Sequence, residues 1–572
     1  MKKQTLFIVT LLFTLVLQAQ VGKSTFKTLD LSKFPMEKTQ LSTNTNLVLV
    51  GEHLYYKLFV LSNGKLSNIS KIAYVELIDA NNKSIHKHIL NLKNGAASNR
   101  IFIPTQLKTG QYKLLAYTNW SKNNTDKSYF SKDIYVVNAF SNENQIVENS
   151  TTTVKLEKTE TLQTNTTNNK NIIINTSKQS YNNREHVKID IITNENYKDG
   201  NYSLSVNKVD SISIQNVLDD SFITNKTSNT LFIPEMRGQL ITGKITNVVN
   251  ALDLNEKNIA LSIPGEQFIF KIAETNPSGY FFFNLDTKIN SNIATFQVIG
   301  DTKENFKIDI LNNFETNYKD LSFNNLELDN TLKYTLEQRN IKNQIENAYY
   351  QNKKDSILSL VNSKSFFKTK EKTYVLDEYT RFKTVRETFI EVLKEAGLRK
   401  EGDSYKIIVY DFYDKKKGQD NKNMDPLVIV DGMIVQNNND LINYDPYKIE
   451  SIDLVIGEYL YGSKLYQGII SVNTITKDFK TSLVGDFIID TTLNLPEDEI
   501  VYFQPQYPNS TKNKHIPDYR RQLLWISETN LNNDKNHFTT YTSDDKGTYK
   551  ITIEGYSANG EFIKSTSYFT VN

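Results

Sequence analysis

Met424-Asp425-Pro426-Leu427-Val428-Ile429-Val430-Asp431-Gly432-Met433-Ile434-Val435 reads as a β-hairpin: a short β-rich run, an Asp-Gly turn and the start of a return strand. Farther along, Asp445 is placed to cap a helical turn, and Pro446 fills its first position, where a missing N–H costs nothing. Ile452, Leu454 and Ile456 alternate, Tyr461-Gly462-Ser463 breaks the run, and Gly468-Ile469-Ile470-Ser471-Val472 predicts a further strand. Upstream, Thr384-Val385-Arg386-Glu387 matches a capping box. Val385, Phe389, Val392, Leu393 and Ala396 follow at helical spacing, and Gly397 is positioned to end the helix in a left-handed conformation. Together these signals predict one small α/β module over 376–476.

The residues carrying that module, namely the hydrophobic-Val-Asp-Gly turn, Ile449-Glu450-Ser451-Ile452, Tyr461-Gly462-Ser463 and Gly468-Ile469-Ile470, resemble the plug domain of TonB-dependent outer-membrane receptors. A plug of that kind closes a barrel of about twenty strands, each roughly 9–11 residues of alternating character. Only 477–572 follows, and there Pro505, Pro508, Pro517, Asp518, Arg520 and Arg521 interrupt any regular apolar band. A soluble β-sandwich over 480–572 is the expectation.

Composition narrows the class. At 572 residues the chain has length for about four domains, each able to bury its own core. Lys+Arg 67 against Asp+Glu 65 gives a net charge of +2, which makes no electrostatic case for nucleic acid. The 32 Tyr and 30 Phe, with abundant Asn, Thr and Ser, suit twisted sheets joined by polar turns. Lys2 and Lys3 ahead of the apolar stretch Leu6 to Leu17, with Ala19 before Gln20, read as an export signal over 1–19, too short to span a bilayer. The sequence has no Cys, which excludes disulfides, a thiol nucleophile and a cysteine-ligated metal. No transmembrane segment is expected in the mature chain.

Three segments share a Gly-x-Tyr-x-aliphatic pattern: Gly110 to Leu114, Gly200 to Leu204 and Gly547 to Ile551. Each is expected to open a strand with Tyr and the next aliphatic on one face, which suggests repeated β-sandwich modules. The first, over 43–140, carries Gly51-Glu52, Tyr55-Tyr56-Lys57-Leu58, Ala73 to Leu77, Ile103-Pro104 and Gly110 to Trp120. It resembles the macroglobulin-type domain of alpha-macroglobulin-like envelope proteins. A polar linker over 141–170 follows, then a second β module over 171–225. The span 235–315, with Arg237-Gly238-Gln239-Leu240-Ile241-Thr242-Gly243 and Thr275 to Phe283, resembles the prealbumin-like carboxypeptidase regulatory-like domain. A connecting helix is expected within 330–365, with Leu332, Leu336, Ile341, Ile345 and Tyr349 near one stripe. The expected fold class is mainly β and multidomain: several immunoglobulin-like or macroglobulin-type sandwiches plus one small α/β plug-like module.

Candidate chemistry is sparse. Pro264-Gly265-Glu266-Gln267 is similar to the end of the alpha-macroglobulin thioester motif, but no cysteine exists to form the bond. Gly22-Lys23-Ser24 lacks the earlier glycine of a phosphate loop, and Gly555-Tyr556-Ser557-Ala558-Asn559-Gly560 is a hairpin turn rather than a nucleophile elbow. Of six histidines only His86 and His88 have suggestive spacing, and two ligands do not define a zinc site. No catalytic residue, metal or cofactor is assigned, and no enzyme is expected. Arg520 and Arg521 beside Tyr519 and Trp525 are candidates for an anion or glycan contact, with strand-end salt bridging as the alternative. Tyr459, Tyr461 and Tyr466 are candidates for a partner contact or for core.

These readings, with the resemblances, imply an exported, non-enzymatic binding or scaffold protein, periplasmic or outer-membrane associated, with a protein partner in the envelope's transport or assembly machinery. The alternative is an accessory of a TonB-dependent transport system whose plug-like module engages a partner barrel.

Overall fold

Asp431 and Gly432 both adopt left-handed backbone, φ 51° and 86°, and this joins Leu427–Val430 to Met433–Ile434 as the expected tight hairpin. The computed structural model describes residues 31–572 apart from 142, 148–149, 151, 160–170, 217–219, 225–230, 250–251, 266–267, 288–290, 312–317, 319–320, 359–366, 368–371, 403, 411–423, 508–514 and 530. The export signal, Gly22-Lys23-Ser24 and Glu266-Gln267 lie outside the described residues. Residues up to Met36 form a separate unit, in which Leu31–Lys33 is a short 3-10 turn. Everything below concerns Glu37–Asn572, which is mainly β and multidomain.

The hairpin belongs to a five-stranded mixed sheet in the order Lys372–Val375, Ile449–Tyr461, Lys464–Thr474, Leu427–Val430, Met433–Ile434. Asp445 accepts from the Tyr447 N–H at 3.0 Å with Pro446 in the first position of its turn. Thr384 and Glu387 close the expected capping box. The helix it opens is shorter than the periodicity predicted. It covers Val385–Glu391, while Gly397 lies in the strand Ala396–Glu401 opposite Ile408, where a Cβ would stand 2.2 Å from the Tyr410 hydroxyl. Val392, Leu393 and Ala396 are nonetheless buried in the same core as Val385, Phe389, Ile452 and Ile470. The apolar spacing thus reported the core without reporting the helix end.

The first sandwich is built from residues 37–137 with one added edge strand, Ser221–Ile223, which pairs with Tyr129–Val137 although it comes from the segment expected as the second module. His53–Ser62 pairs with Glu37–Thr43 and Ala96–Phe102 in one sheet; Ile72–Ile78, Ser84–Asn91, Gly110–Tyr117 and Tyr129–Val137 build the other. Leu41, Tyr56 and Leu58 of the first sheet share a core with Val75, Leu77 and Leu114 of the second.

The second sandwich corrects the expected boundaries. Its sheets combine His186–Thr193 with Lys535–Tyr541, and Asn201–Lys208 with both Gln522–Thr529 and Gly547–Tyr556. The segments 171–225 and 480–572, expected as two modules, therefore supply one sandwich, with Val187, Ile189, Leu204, Ile551 and Phe569 in a common core. The physical reason is strand supply. Up to Lys208 the earlier segment offers three strands of five to eight residues, each with an apolar face that only the later segment covers.

A third sandwich is nested inside the second. Gln239–Asn247, Tyr280–Leu285 and Phe306–Leu311 pack against Asn258–Ile263, Ile269–Glu274 and Ile293–Ile299, and the last takes Ile488–Thr492 as a neighbour. That final strand comes from the segment expected as the C-terminal module. The α/β module is in turn inserted between Phe306–Leu311 and Ile488–Thr492.

The polar linker also needs correction. Thr153–Lys158 is a strand paired with Ile212–Gln215 and, in parallel, with Asn325–Leu328. Its alternation buries Val154 and Leu156 against Leu332 and Leu336. Those leucines lead into helix α1, Lys333–Ala348. The stripe predicted for α1 fails beyond Leu336: Ile341 and Tyr349 are exposed, whereas Arg339 and Asn340 are buried.

The Gly-x-Tyr pattern marks strands as expected but does not mark three modules. Its second and third copies are adjacent strands of one sheet, Tyr202 opposite Gly555 and Tyr549 opposite Lys208. In all three copies the buried tyrosine hydroxyl donates to a carbonyl just upstream: Tyr112 to Lys108 at 3.0 Å, Tyr202 to Tyr197 at 2.8 Å, Tyr549 to Asp545 at 2.6 Å. This is the tyrosine-corner device of β-sandwiches, which ties a strand to the loop entering it. At the second copy a Cβ on Gly200 would stand 2.4 Å from the Tyr202 ring, so glycine admits the folded-back side chain.

Candidate functional site

Helix α1 brings Arg339, Lys342, Asn343 and Glu346 onto one stripe at 3.6-residue spacing, and this stripe meets both the first and second sandwiches. The first sandwich contributes Tyr55 and, directly opposite it on the next strand, Arg100. The second contributes Trp525 from Gln522–Thr529 and Arg521 from the loop before it. Ser356–Ile357 and Ile500–Val501 pair and hold Asp355 and Tyr502 beside them. The result is a cavity of about 170 Å³ whose exposed lining residues Asn347, Tyr350 and Gln504 mark its opening to solvent.

One wall is aromatic. The Tyr55 ring lies 5.3 Å from Tyr502 and 5.7 Å from Trp525, tilted by 58° and 45°, and the Arg100 guanidinium lies 5.8 Å from the Tyr502 ring centre. Arg100 also pairs with Asp355 and donates to the Tyr350 hydroxyl at 3.2 Å. His53 is held neutral: burial, reinforced by the Arg100 charge, lowers it to about 3.

The opposite wall is ionic. Arg339 donates to Glu52 Oε1 at 2.8 Å and Oε2 at 2.6 Å, to Asp210 Oδ2 at 2.6 Å and to the Leu47 carbonyl at 3.1 Å. Arg521 reaches the same Asp210 Oδ2 at 2.6 Å. Burial pushes the Asp210 carboxyl up, but Arg339 and Arg521 outweigh it and hold the group below its ordinary value. Lys208 and Lys342 converge on Asp545 Oδ1 at 2.6 and 2.5 Å. Four cations thus meet three carboxylates, Glu52, Asp210 and Asp545.

Two polar atoms among these groups are unmatched. Trp525 is 4% exposed and Asp545 1%, yet the indole N–H and Asp545 Oδ2 have no hydrogen-bond partner among the described residues. Leaving such a buried group unpaired costs about 1–3 kcal/mol.

The five residues singled out in the sequence divide. Arg521 lines the cavity with one guanidinium nitrogen on Asp210. Arg520 lines it too, but grips Asp518 through Nε at 2.8 Å and Nη2 at 2.9 Å. Burial opposes the Asp518 charge; Arg520 nevertheless holds that carboxyl at about 2, so the pair fixes the loop. Tyr459, Tyr461 and Tyr466 are elsewhere, in the core between the third sandwich and the α/β module. Tyr461 stacks on Phe270 at 5.5 Å and donates to its carbonyl at 2.5 Å, and Tyr466 is 4% exposed. Their packing joins two parts of this chain.

Sequence reading missed Tyr55, Arg100, Asp210, Arg339 and Tyr502. The polar stripe Arg339, Lys342, Asn343, Glu346 was visible as helical spacing; its meeting with Arg521 depended on the interleaved sandwich. His86 and His88 form a polar chain, Nε2 to Nε2 at 2.6 Å and His88 Nδ1 to the Tyr56 hydroxyl at 2.6 Å. Among the described residues no group of three or more His, Cys, Asp or Glu is placed to hold a metal ion, and no helix is long and apolar enough to cross a membrane.

No protein-family model matches the sequence, and the search of curated proteins found no match. Among solved structures, the chain is similar to Salmonella alpha-2-macroglobulin reacted with methylamine, at 9% identity over 94% of this chain and 40% of that one, with a TM-score of 0.23. Escherichia coli alpha-2-macroglobulin activated by porcine elastase aligns at 8% identity over 94% of this chain and 44% of that one, also with a TM-score of 0.23. The chain spans less than half the length of either, and its fold is defined by its own sheet pairings.

Proposed function

We propose that this chain is an exported binding scaffold whose ligand site is the cavity between the first sandwich, the second sandwich and α1. The observation that carries this reading is a cavity walled by Tyr55, Tyr502 and Trp525 on one side and by Arg339 and Arg521 on the other, open to solvent beside Asn347, Tyr350 and Gln504. Concave sites with aromatic walls and a few fixed polar groups are where ligands bind. The surrounding ion pairs fix the walls: Arg339 locks α1 to both sandwiches, and Arg520 fixes the loop that presents Arg521. The scaffold role, the envelope location and a partner in outer-membrane transport or assembly extend the sequence reading, as does the absence of catalysis. The alternative, in which the plug-like α/β module engages a partner barrel, gains no support from tyrosines packed against the third sandwich.

A thermal-shift screen of purified mature protein against sugars, short peptides and small anions tests this reading, with Trp525→Phe as the control. At least one class should raise the Tm of the wild type and not of the variant. A screen that shifts neither, or both alike, overturns it.

A further inference from the structure

We infer that Lys57 and Asn201 form an intramolecular isopeptide bond, with loss of ammonia, that joins the first sandwich covalently to the second. In the strand His53–Ser62, Tyr56 and Leu58 point into the first sandwich's core, so Tyr55, Lys57 and Phe59 point out of it. That outer face meets the second sandwich: Tyr55 lies 5.7 Å from Trp525 and Phe59 lies 5.2 Å from Tyr556, with Lys57 between them in sequence. Lys57 is 1% exposed and donates to Asn201 Oδ1, to the Tyr202 carbonyl at 2.9 Å and to the Ser527 carbonyl at 2.5 Å. The two main-chain acceptors sit where the pairing of Asn201–Lys208 with Gln522–Thr529 slips in register, between Tyr202 and Leu204. All three acceptors are neutral, and among the described residues no carboxylate pairs with this amine.

The chemistry follows from this placement. An amine must shed its proton to act as a nucleophile, and burial drives that loss: it lowers Lys57 to about 7, with the charges of Glu528 and Glu554 acting in the opposite direction. Attack on either main-chain carbonyl would sever the chain. Asn201 alone offers a separate leaving group, its own amide nitrogen. Nζ attacks Cγ, one bond behind the oxygen it already touches; the Nζ–Cγ bond forms, the Cγ–Nδ2 bond breaks with its electron pair going to nitrogen, and a proton from Nζ completes ammonia. No oxidant, nucleotide or second protein enters the balance. Fixed contact gives the two groups a high effective concentration, and burial of the pair keeps water from competing for the same amide. Asn201, Ser527 and Glu528 also line a cavity of about 90 Å³, whose exposed residues Asn91, Lys93 and Asp498 give ammonia a way out. The product amide keeps one N–H, for which the Tyr202 and Ser527 carbonyls remain as acceptors. The bond would span 144 residues of sequence and fix the strand of Tyr55 against the strand of Trp525.

The experiment is mass spectrometry of the purified full mature chain. The wild type should be lighter than its sequence by about 17 Da, one ammonia, and its digest should contain a peptide pair linked through Lys57 and Asn201. Lys57→Arg, which keeps the charge, and Asn201→Ala should each show the full mass and no linked pair. Cyclisation of an N-terminal Gln20 would lose the same mass, so the linked pair decides. A wild-type digest in which trypsin cleaves after Lys57 and Asn201 lies in an ordinary peptide overturns the proposal, and does so whether or not the variants fold. A mass loss confined to the N-terminal peptide overturns it equally.

Discussion

Ser203 faces Glu554 across an antiparallel strand pair, its hydroxyl donating to the Glu554 carbonyl at 3.3 Å, although 351 residues separate the two. The third sandwich and the α/β module both lie between them in sequence, inserted into the second sandwich ahead of its strands Gln522–Thr529, Lys535–Tyr541 and Gly547–Tyr556. On its other edge Asn201–Lys208 pairs with Gln522–Thr529, which brings Trp525 and, just before it, Arg521 to the cavity lined by the first sandwich and α1.

The tyrosine corners should matter beyond their hydrophobic area. Tyr549 donates to Asp545 O at 2.6 Å and lies 2.9 Å from Ser543 Oγ, both in the loop that carries the cavity's Asp545. Tyr549→Phe keeps the ring and removes the hydroxyl, and should lower stability by about 1–3 kcal/mol in urea unfolding. An unchanged midpoint would show that the hydroxyl does not fix the loop.

Arg339 is the hinge between modules. Replacing it with Met leaves Glu52 and Asp210 buried with reduced pairing, and a broken buried pair costs about 3–5 kcal/mol. Arg339→Met should therefore lower the urea midpoint clearly. Exposed Lys155 on Glu327, 3.6 Å apart, is the contrast, and Lys155→Met should change stability by less than about 1 kcal/mol.

Glu235 gives the fold a defined pH dependence. It is fully buried, accepts from the Tyr74 hydroxyl and the Leu240 N–H, and burial raises it to about 7, with Lys122 acting in the opposite direction. Its folded value is above its unfolded value of about 4.3, so the folded state holds the proton more tightly. That contribution is complete below about pH 4 and is lost as pH rises to about 7, on the order of 3 kcal/mol in all. Urea unfolding at pH 5 and 7 should show this fall in the wild type and a flatter profile in Glu235→Gln. Parallel profiles would assign the dependence to other groups.

Local chemistry was legible in the sequence wherever the determinants were local. Asp431-Gly432, Thr384 to Glu387 and Asp445-Pro446 form the turn, box and cap that their residue types dictate, because each needs only neighbours within a few positions. The Gly-x-Tyr pattern identified strands for the same reason. Module boundaries were not legible, since the apolar face of Asn201–Lys208 states that it needs cover without stating that Gln522–Thr529 and Gly547–Tyr556 supply it. The polar look of 141–170 hid Val154 and Leu156, two apolar residues in a strand of six. Arg521 was found at the site because an aromatic and an arginine stand close in sequence. Arg339 was missed because α1 was read by its apolar residues alone.

The interleaving of the second sandwich is tested most directly by a cross-strand disulfide in a chain that has no native cysteine. Asp190 and His537 are opposed in adjacent antiparallel strands, where Cα separations of about 4.5–5.5 Å suit a disulfide. Under mild oxidation, Asp190→Cys/His537→Cys should form an intramolecular bond in nearly every molecule, giving a faster band in non-reducing electrophoresis that neither single variant shows. Free thiols or only intermolecular dimers from a folded double variant would contradict the shared sheet, and with it the origin of the cavity.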